Sequence, residues 1–145
     1  MKKLLKISLG IIIGGLILIQ LVPYGRNHTN PSVVQEPSWD SPETRALAER
    51  ACFDCHSNET VWPWYANVAP VSWLTQRDVD EGRHHLNFSD WQSGRRESHE
   101  MDEITEVIQR GDMPPAIFLP MHPEARLTDA EKQQLINGLL ASTGN

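Results

Sequence analysis

The first apolar feature of the chain is a run from Ile7 to Val22 with no charged position, ended by Pro23. Beyond it, apolar residues recur at helical spacing in several separate stretches. Ala46, Leu47, Ala48 and Ala51 offer a small-residue face from Pro42 to about Cys52, with Ser41 placed to cap and Pro42 at the first helical position. A second helix is predicted from about Pro70 to Leu86, after the turn-rich Trp62-Pro63-Trp64. A third runs from about Ser98 to Arg110, with Met101, Ile104, Val107 and Ile108 on one stripe and Gly111 as its stop. The last opens on the capping box Thr128-Asp129-Ala130-Glu131 and carries Leu135, Ile136, Leu139 and Leu140. No segment shows strict alternation over four or more residues. The predicted class is all-α with long Pro-rich loops, and loops of that length need something to organise them.

Lys2, Lys3 and Lys6 precede the apolar run, as in a secretion signal. Gln20-Leu21-Val22-Pro23 supplies no small residues for cleavage, and no Cys follows to carry a lipid. The expectation is an uncleaved signal-anchor over residues 1–23, forming a single N-terminal transmembrane helix. Its sixteen uncharged residues cover about 24 Å at helical rise, short of the ~30 Å hydrocarbon core. Leu4 and Leu5 extend the run if Lys6 snorkels to the headgroups. The positive-inside bias keeps the lysines cytoplasmic and puts residues from 24 onward outside. Residues 24–41, with Pro31 and Pro37 among Asn, Ser and Thr, read as a tether, and 42–145 as one domain.

Charge narrows the function classes. Four of the thirteen Lys and Arg (Lys2, Lys3, Lys6, Arg26) precede residue 27, whereas all nineteen Asp and Glu follow it. The remainder therefore carries 9 − 19 = −10, which excludes binding to a phosphate backbone. Two Cys exclude a disulfide framework. Acid is densest between Glu97 and Asp112, where Glu97, Glu100, Asp102, Glu103, Glu106 and Asp112 meet only Arg110. A solvated helix face is the usual outcome of such a run. Beside a redox centre, it would also steer a partner with a basic docking surface.

Cys52-Phe53-Asp54-Cys55-His56 carries the chemistry. With two Cys in the chain, this pattern has a chance of roughly 1 in 1,700 as a coincidence, for a motif fixed in advance. Two thiols one helical turn apart can add to the two vinyl groups of a haem, and the next residue's imidazole can reach the iron. A thioredoxin-like pair would lack its βαβ setting, and a zinc site would lack a fourth ligand. One covalent haem c is expected, on Cys52 and Cys55, with His56 as axial ligand. Met113, in Gly111-Asp112-Met113-Pro114-Pro115, is the expected second axial ligand, because a proline-stiffened loop loses little freedom when it holds a thioether. Its rivals are Met121, His84, His85, His99 and His122, whereas His28 lies in the tether. Trp62, Trp64, Tyr65, Trp73, Phe88 and Trp91 could cover a porphyrin face. Arg83, Arg95, Arg96 or Arg126 could pair a propionate.

The stretches AlaCysPheAspCysHisSerAsnGluThr, TrpProTrpTyr, AlaProValSerTrpLeu, AspValAspGluGlyArg and GlyAspMetProPro resemble the bacterial haem-binding domain family. That family occurs in short membrane-anchored proteins and at the N-terminus of cytochrome c peroxidase-like proteins. The resemblance runs from about Tyr24 to about Leu140. It implies Cys52 and Cys55 as attachment sites, His56 as axial ligand and Met113 at the matching MetPro position. The order helix, CxxCH, loops, MetPro, terminal helix is also similar to monohaem cytochromes c, although SerAsnGluThrValTrpProTrp replaces their usual loop after His56. The expected protein is a cytochrome c-like electron carrier on the bacterial inner membrane, with its haem on the periplasmic side and no catalytic residues of its own. A haem-based redox or gas sensor and an accessory subunit of a peroxidase-like enzyme are the alternatives.

Overall fold

A computed structural model describes residues 1–91 and 98–142, with side chains for 1–91 and 101–142. Six α-helices form along it: α1 (Lys2–Ile19), α2 (Pro42–Ala51), α3 (Phe53–His56), α4 (Val71–His85), α5 (Ser98–Arg110) and α6 (Asp129–Ser142). Short 3-10 turns occupy Trp64–Asn67 and Pro123–Ala125. Among the described residues there is no strand, and one isolated bridge pairs Gln35 with Asp90. The all-α expectation holds.

Local chemistry sets the helix ends. The Ser41 hydroxyl accepts the Thr44 amide at 3.2 Å and starts α2. At α6 the capping box closes in both directions: Thr128 N–H donates to Glu131 Oε2 at 2.7 Å and Glu131 N–H to Thr128 Oγ1 at 3.3 Å. Gly111 ends α5 with φ of 76°, a left-handed value that other residues rarely adopt. α6 then packs on α2 and α5, and α3 packs on α2 and α4. Gly138 lets α6 approach Thr44, whose side chain a Cβ at that position would overlap.

The core joins Leu47, Ala48, Phe53, Phe88, Trp91, Met101, Ile108, Leu135, Ile136 and Leu139. Two predicted core positions are instead exposed. Ala46 faces solvent and Thr44 is buried in its place, because positions 44, 47, 48 and 51 share one helical face. Leu140 is likewise turned outward, one position past the α6 stripe.

No helix among the described residues is long and apolar enough to cross a membrane. The expected transmembrane helix is thus not met, for two reasons visible in α1. Lys2, Lys3 and Lys6 occupy its first turns, and regular helix stops at Ile19. The uncharged helical part, residues 7–19, spans only about 20 Å.

Residues 24–41 also differ from a free tether. They have almost no regular structure, as expected, but they are bonded along the domain. Asn30 Nδ2 donates to Thr60 O at 2.9 Å, Asn58 Nδ2 to Ser32 O at 2.9 Å, and the Val34 and Gln35 amides to Ser89 O. Glu36 then meets Arg45 of α2 at 2.8 Å and the Trp39 indole at 2.6 Å. Polar side chains therefore organise much of the loop structure (Arg83 ties Ser57 O, Thr29 O, Asn30 Oδ1 and Thr60 Oγ1 together).

The Arg45 guanidinium holds the Glu36 carboxyl below its ordinary range, against burial and with help from Trp39. A carboxyl lowered on folding stabilises the native state above its unfolded value, about 4.3, and loses that contribution as pH falls through its folded value. Glu36→Gln should therefore cost about 0.5–1 kcal/mol at neutral pH. The gap to wild type should close as pH falls below about 4, as measured by urea unfolding at each pH.

Candidate haem site

Cys52 ends α2 and opens α3, so the motif begins at a helix junction. The Cys55 and His56 amides both donate to Cys52 O, at 3.2 and 2.9 Å, and this turn brings the two cysteines onto one short helical segment. Phe53 enters an aromatic row with Phe88 (5.5 Å between ring centroids), Trp39 (6.3 Å) and, through Phe88, Trp91 (5.7 Å). Phe53 thus fastens α3 to the core.

His56 is held at two points. Its Nδ1 lies 3.0 Å from Leu86 O, and its own carbonyl accepts the Phe88 amide at 2.8 Å. A carbonyl has no proton to give, so Nδ1 carries the hydrogen, and in the neutral ring the lone pair is on Nε2. That is the tautomer in which a histidine binds metal through Nε2, its other nitrogen orienting the ring. Gly82 supplies the closeness this needs. A Cβ at that position would run into the Cys55 carbonyl, so α4 can lie directly on α3 only with glycine there.

Burial pushes both thiols up to about 12, with like charge from Cys55 adding at Cys52 and from Asp78 and Asp54 at Cys55. Both are therefore neutral thiols at physiological pH. Burial also raises the Asp54 carboxyl, whose Oδ1 accepts the Val61 amide at 2.9 Å. On the neighbouring α4, Trp73 Nε1 and Gln76 Oε1 are buried without a partner among the described residues.

The remaining predicted residues are not all brought together. Met113 lies in the loop after α5, 39% exposed, its amide on Val107 O at 3.3 Å. α5 packs on α6, whereas the motif packs on α2 and α4. Met121 is exposed too. His84 and His85 are exposed at the end of α4, and their rings meet edge to face. His122 is fully engaged: its Nε2 accepts from Tyr65 OH at 2.6 Å, Nδ1 faces Glu124 Oε1 at 3.2 Å, and Phe118 stacks on its ring. Both of its ring nitrogens are thus engaged within the protein. The His99 side chain, and Arg95 and Arg96, lie outside the described residues. Arg83 spends its guanidinium on the loops around α3, and Arg126 is exposed. Trp64 is exposed as well, and Trp62 stacks on His28 at 4.5 Å.

Residues 14–141 match the model of the haem-binding domain family. The chain belongs to that family. No curated protein and no solved structure matches it. Haem binding follows from membership, and the residues present fit the group. Two neutral thiols stand one turn apart, an oriented imidazole follows them, and the adjoining helix leaves polar atoms unsatisfied. The residues that family-level motifs alone did not explain are Phe53, Gly82 and the Leu86 carbonyl. Gly82 had a signal in the sequence, as the glycine of AspGluGlyArg in an otherwise helical stretch.

Gly82→Ala should force α4 off α3 and lower unfolding stability by about 1–3 kcal/mol. Gly14→Ala, where nothing lies within 4 Å, should leave the guanidinium midpoint unchanged.

Proposed function

We propose that this haem-binding domain protein is a membrane-tethered, cytochrome c-like electron carrier with one covalently bound haem, working outside the cytoplasmic membrane. The observation that carries this reading is the joint placement of Cys52, Cys55 and the Nδ1-anchored His56 on one short helix. Each thiol would add across a vinyl group, its sulfur to one carbon and its hydrogen to the other, with no change of oxidation state. When bound, the haem supplies an iron that gains and loses one electron. The chain's part is to fix the group and its ligands. His56 Nε2 would hold the iron, with the ring oriented by the Leu86 carbonyl at Nδ1. Met113 would be the second ligand, carried on the loop that Gly111 turns out of α5. With both residues as ligands, the iron would have no position left for a substrate, which favours electron transfer over catalysis.

The tether in this reading is α1, which has no buried residue and exposes leucine and isoleucine along its length. A surface of that kind needs an apolar medium, and its lysines suit the headgroup level. The redox partner is proposed to dock on α5. There Asp102, Glu103 and Glu106 line an open hollow, and Arg110 is already paired with Glu106 and Asp112. Glu97 lies outside the described residues, as does the Glu100 side chain.

Two measurements test the reading. Reduced protein should keep its spectrum under carbon monoxide, whereas Met113→Ala should bind the gas. Rapid, complete binding by the wild type would mean an open or displaceable position and favour the sensor instead. Electron transfer to a basic partner should slow steeply as salt rises past about 0.1 M, and the triple substitution at Glu100, Glu103 and Glu106 should slow it without moving the haem spectrum. A rate indifferent to both changes would reduce the acidic face to a solvated surface.

A further inference from the structure

The longest uncharged stretch beyond the N-terminal run is Thr60 to Gln76, seventeen residues with no Asp, Glu, Lys, Arg or His. It interrupts a domain of net charge −10 and holds three of the five Trp, Trp62, Trp64 and Trp73. In the fold it becomes the 3-10 turn Trp64–Asn67 and the first turns of α4, which pack on each other. Its apolar side chains are left outside: Trp64 is 72% exposed, and Val68, Val71 and Leu74 are all at least 40% exposed.

The end of α1 is fastened to this same surface. Gln20 clamps the Ala69 backbone, its Nε2 donating to Ala69 O at 2.9 Å and its Oε1 accepting the Ala69 amide at 3.0 Å. Gly25, with φ of 77°, presses against the Ser72 carbonyl, where any Cβ would overlap. The exposed Leu21 and Val22 therefore continue from the helix into the patch. α5, with its acid residues, packs on α6 and not on α4 or the 3-10 turn.

We propose that the surface of Trp64, Val68, Val71 and Leu74 lies on the lipid bilayer, so that the domain is docked there rather than hung from a flexible arm. This rests on α1 being the membrane tether. Three features favour lipid as the occupant. The patch is continuous with the anchor's own apolar surface. It lacks the acidic residues that an anionic bilayer would repel. Tryptophan with aliphatic neighbours is also the composition that settles at the headgroup boundary, about 5–10 Å deep.

The test uses the full haem-loaded chain in vesicles of neutral and anionic phospholipid, with a photoreactive benzophenone amino acid at Leu16, Val68, Val71 or Asp129 in turn. Phospholipid adducts are then read by mass spectrometry. Val68 and Val71 should give adducts at yields near that of Leu16 and about tenfold above Asp129. Adducts at Leu16 alone would overturn the docking and leave the tether standing. No adduct at any position would overturn the tether reading and the docking with it. Cross-links from Val68 and Val71 to a second polypeptide would assign the patch to a protein and overturn the proposal.

Discussion

The bond from His56 Nδ1–H to the Leu86 carbonyl is the interaction on which the site depends. It selects the tautomer, orients the ring and ties the motif to the residue that caps α4. It exists only because α4 lies against α3, and that contact rests on the absence of a side chain at Gly82. Phe53 secures the other side by entering the aromatic row of the core. The motif is thereby held between a helix and the core before any cofactor contributes. The cysteine side chains need bring only neutral thiols one turn apart.

The same economy extends to the loops. A helical domain with long Pro-rich connections could have relied on its haem to order them. Instead, Arg83, Asn58, Ser57 and Ser89 hold residues 29 to 35 and 57 to 60 through directed hydrogen bonds. A buried or half-buried polar side chain that reaches several carbonyls can organise backbone that has no ladder of its own. Arg83 does this work, which explains why a residue that sequence suggested for a propionate is committed elsewhere.

Much of the fold was legible because its signals are local. Ser41, Gly111 and the Thr128–Glu131 box mark helix ends through bonds made within a few residues, and periodicity marks the faces of α5 and α6. The CysXaaXaaCysHis motif of residues 52–56 was equally plain, since its residues are contiguous. What could not be read are the long-range contacts. Nothing near Asn30 announces that residues 24–41 will bond to Thr60 and Ser89, and composition alone made them a tether. Ala46 and Thr44 exchange places because a face is set by angle, and a small apolar residue off that angle still faces water. The Nδ1 partner of His56 is a carbonyl thirty residues away, and every residue carries a carbonyl. Charge and apolarity, in contrast, divided the surface much as the sequence divides them: acid on α5, an uncharged aromatic stretch beside the end of α1.

The central claim is that α3 carries a haem bound through both cysteines beside an oriented His56. Its most direct test is the mass of the denatured, acid–organic-extracted polypeptide, purified from cells able to attach haem to proteins. Haem should stay with the wild-type chain through extraction, and Cys52→Ala with Cys55→Ala should release it. Release of the haem from the wild-type chain under the same extraction would contradict it.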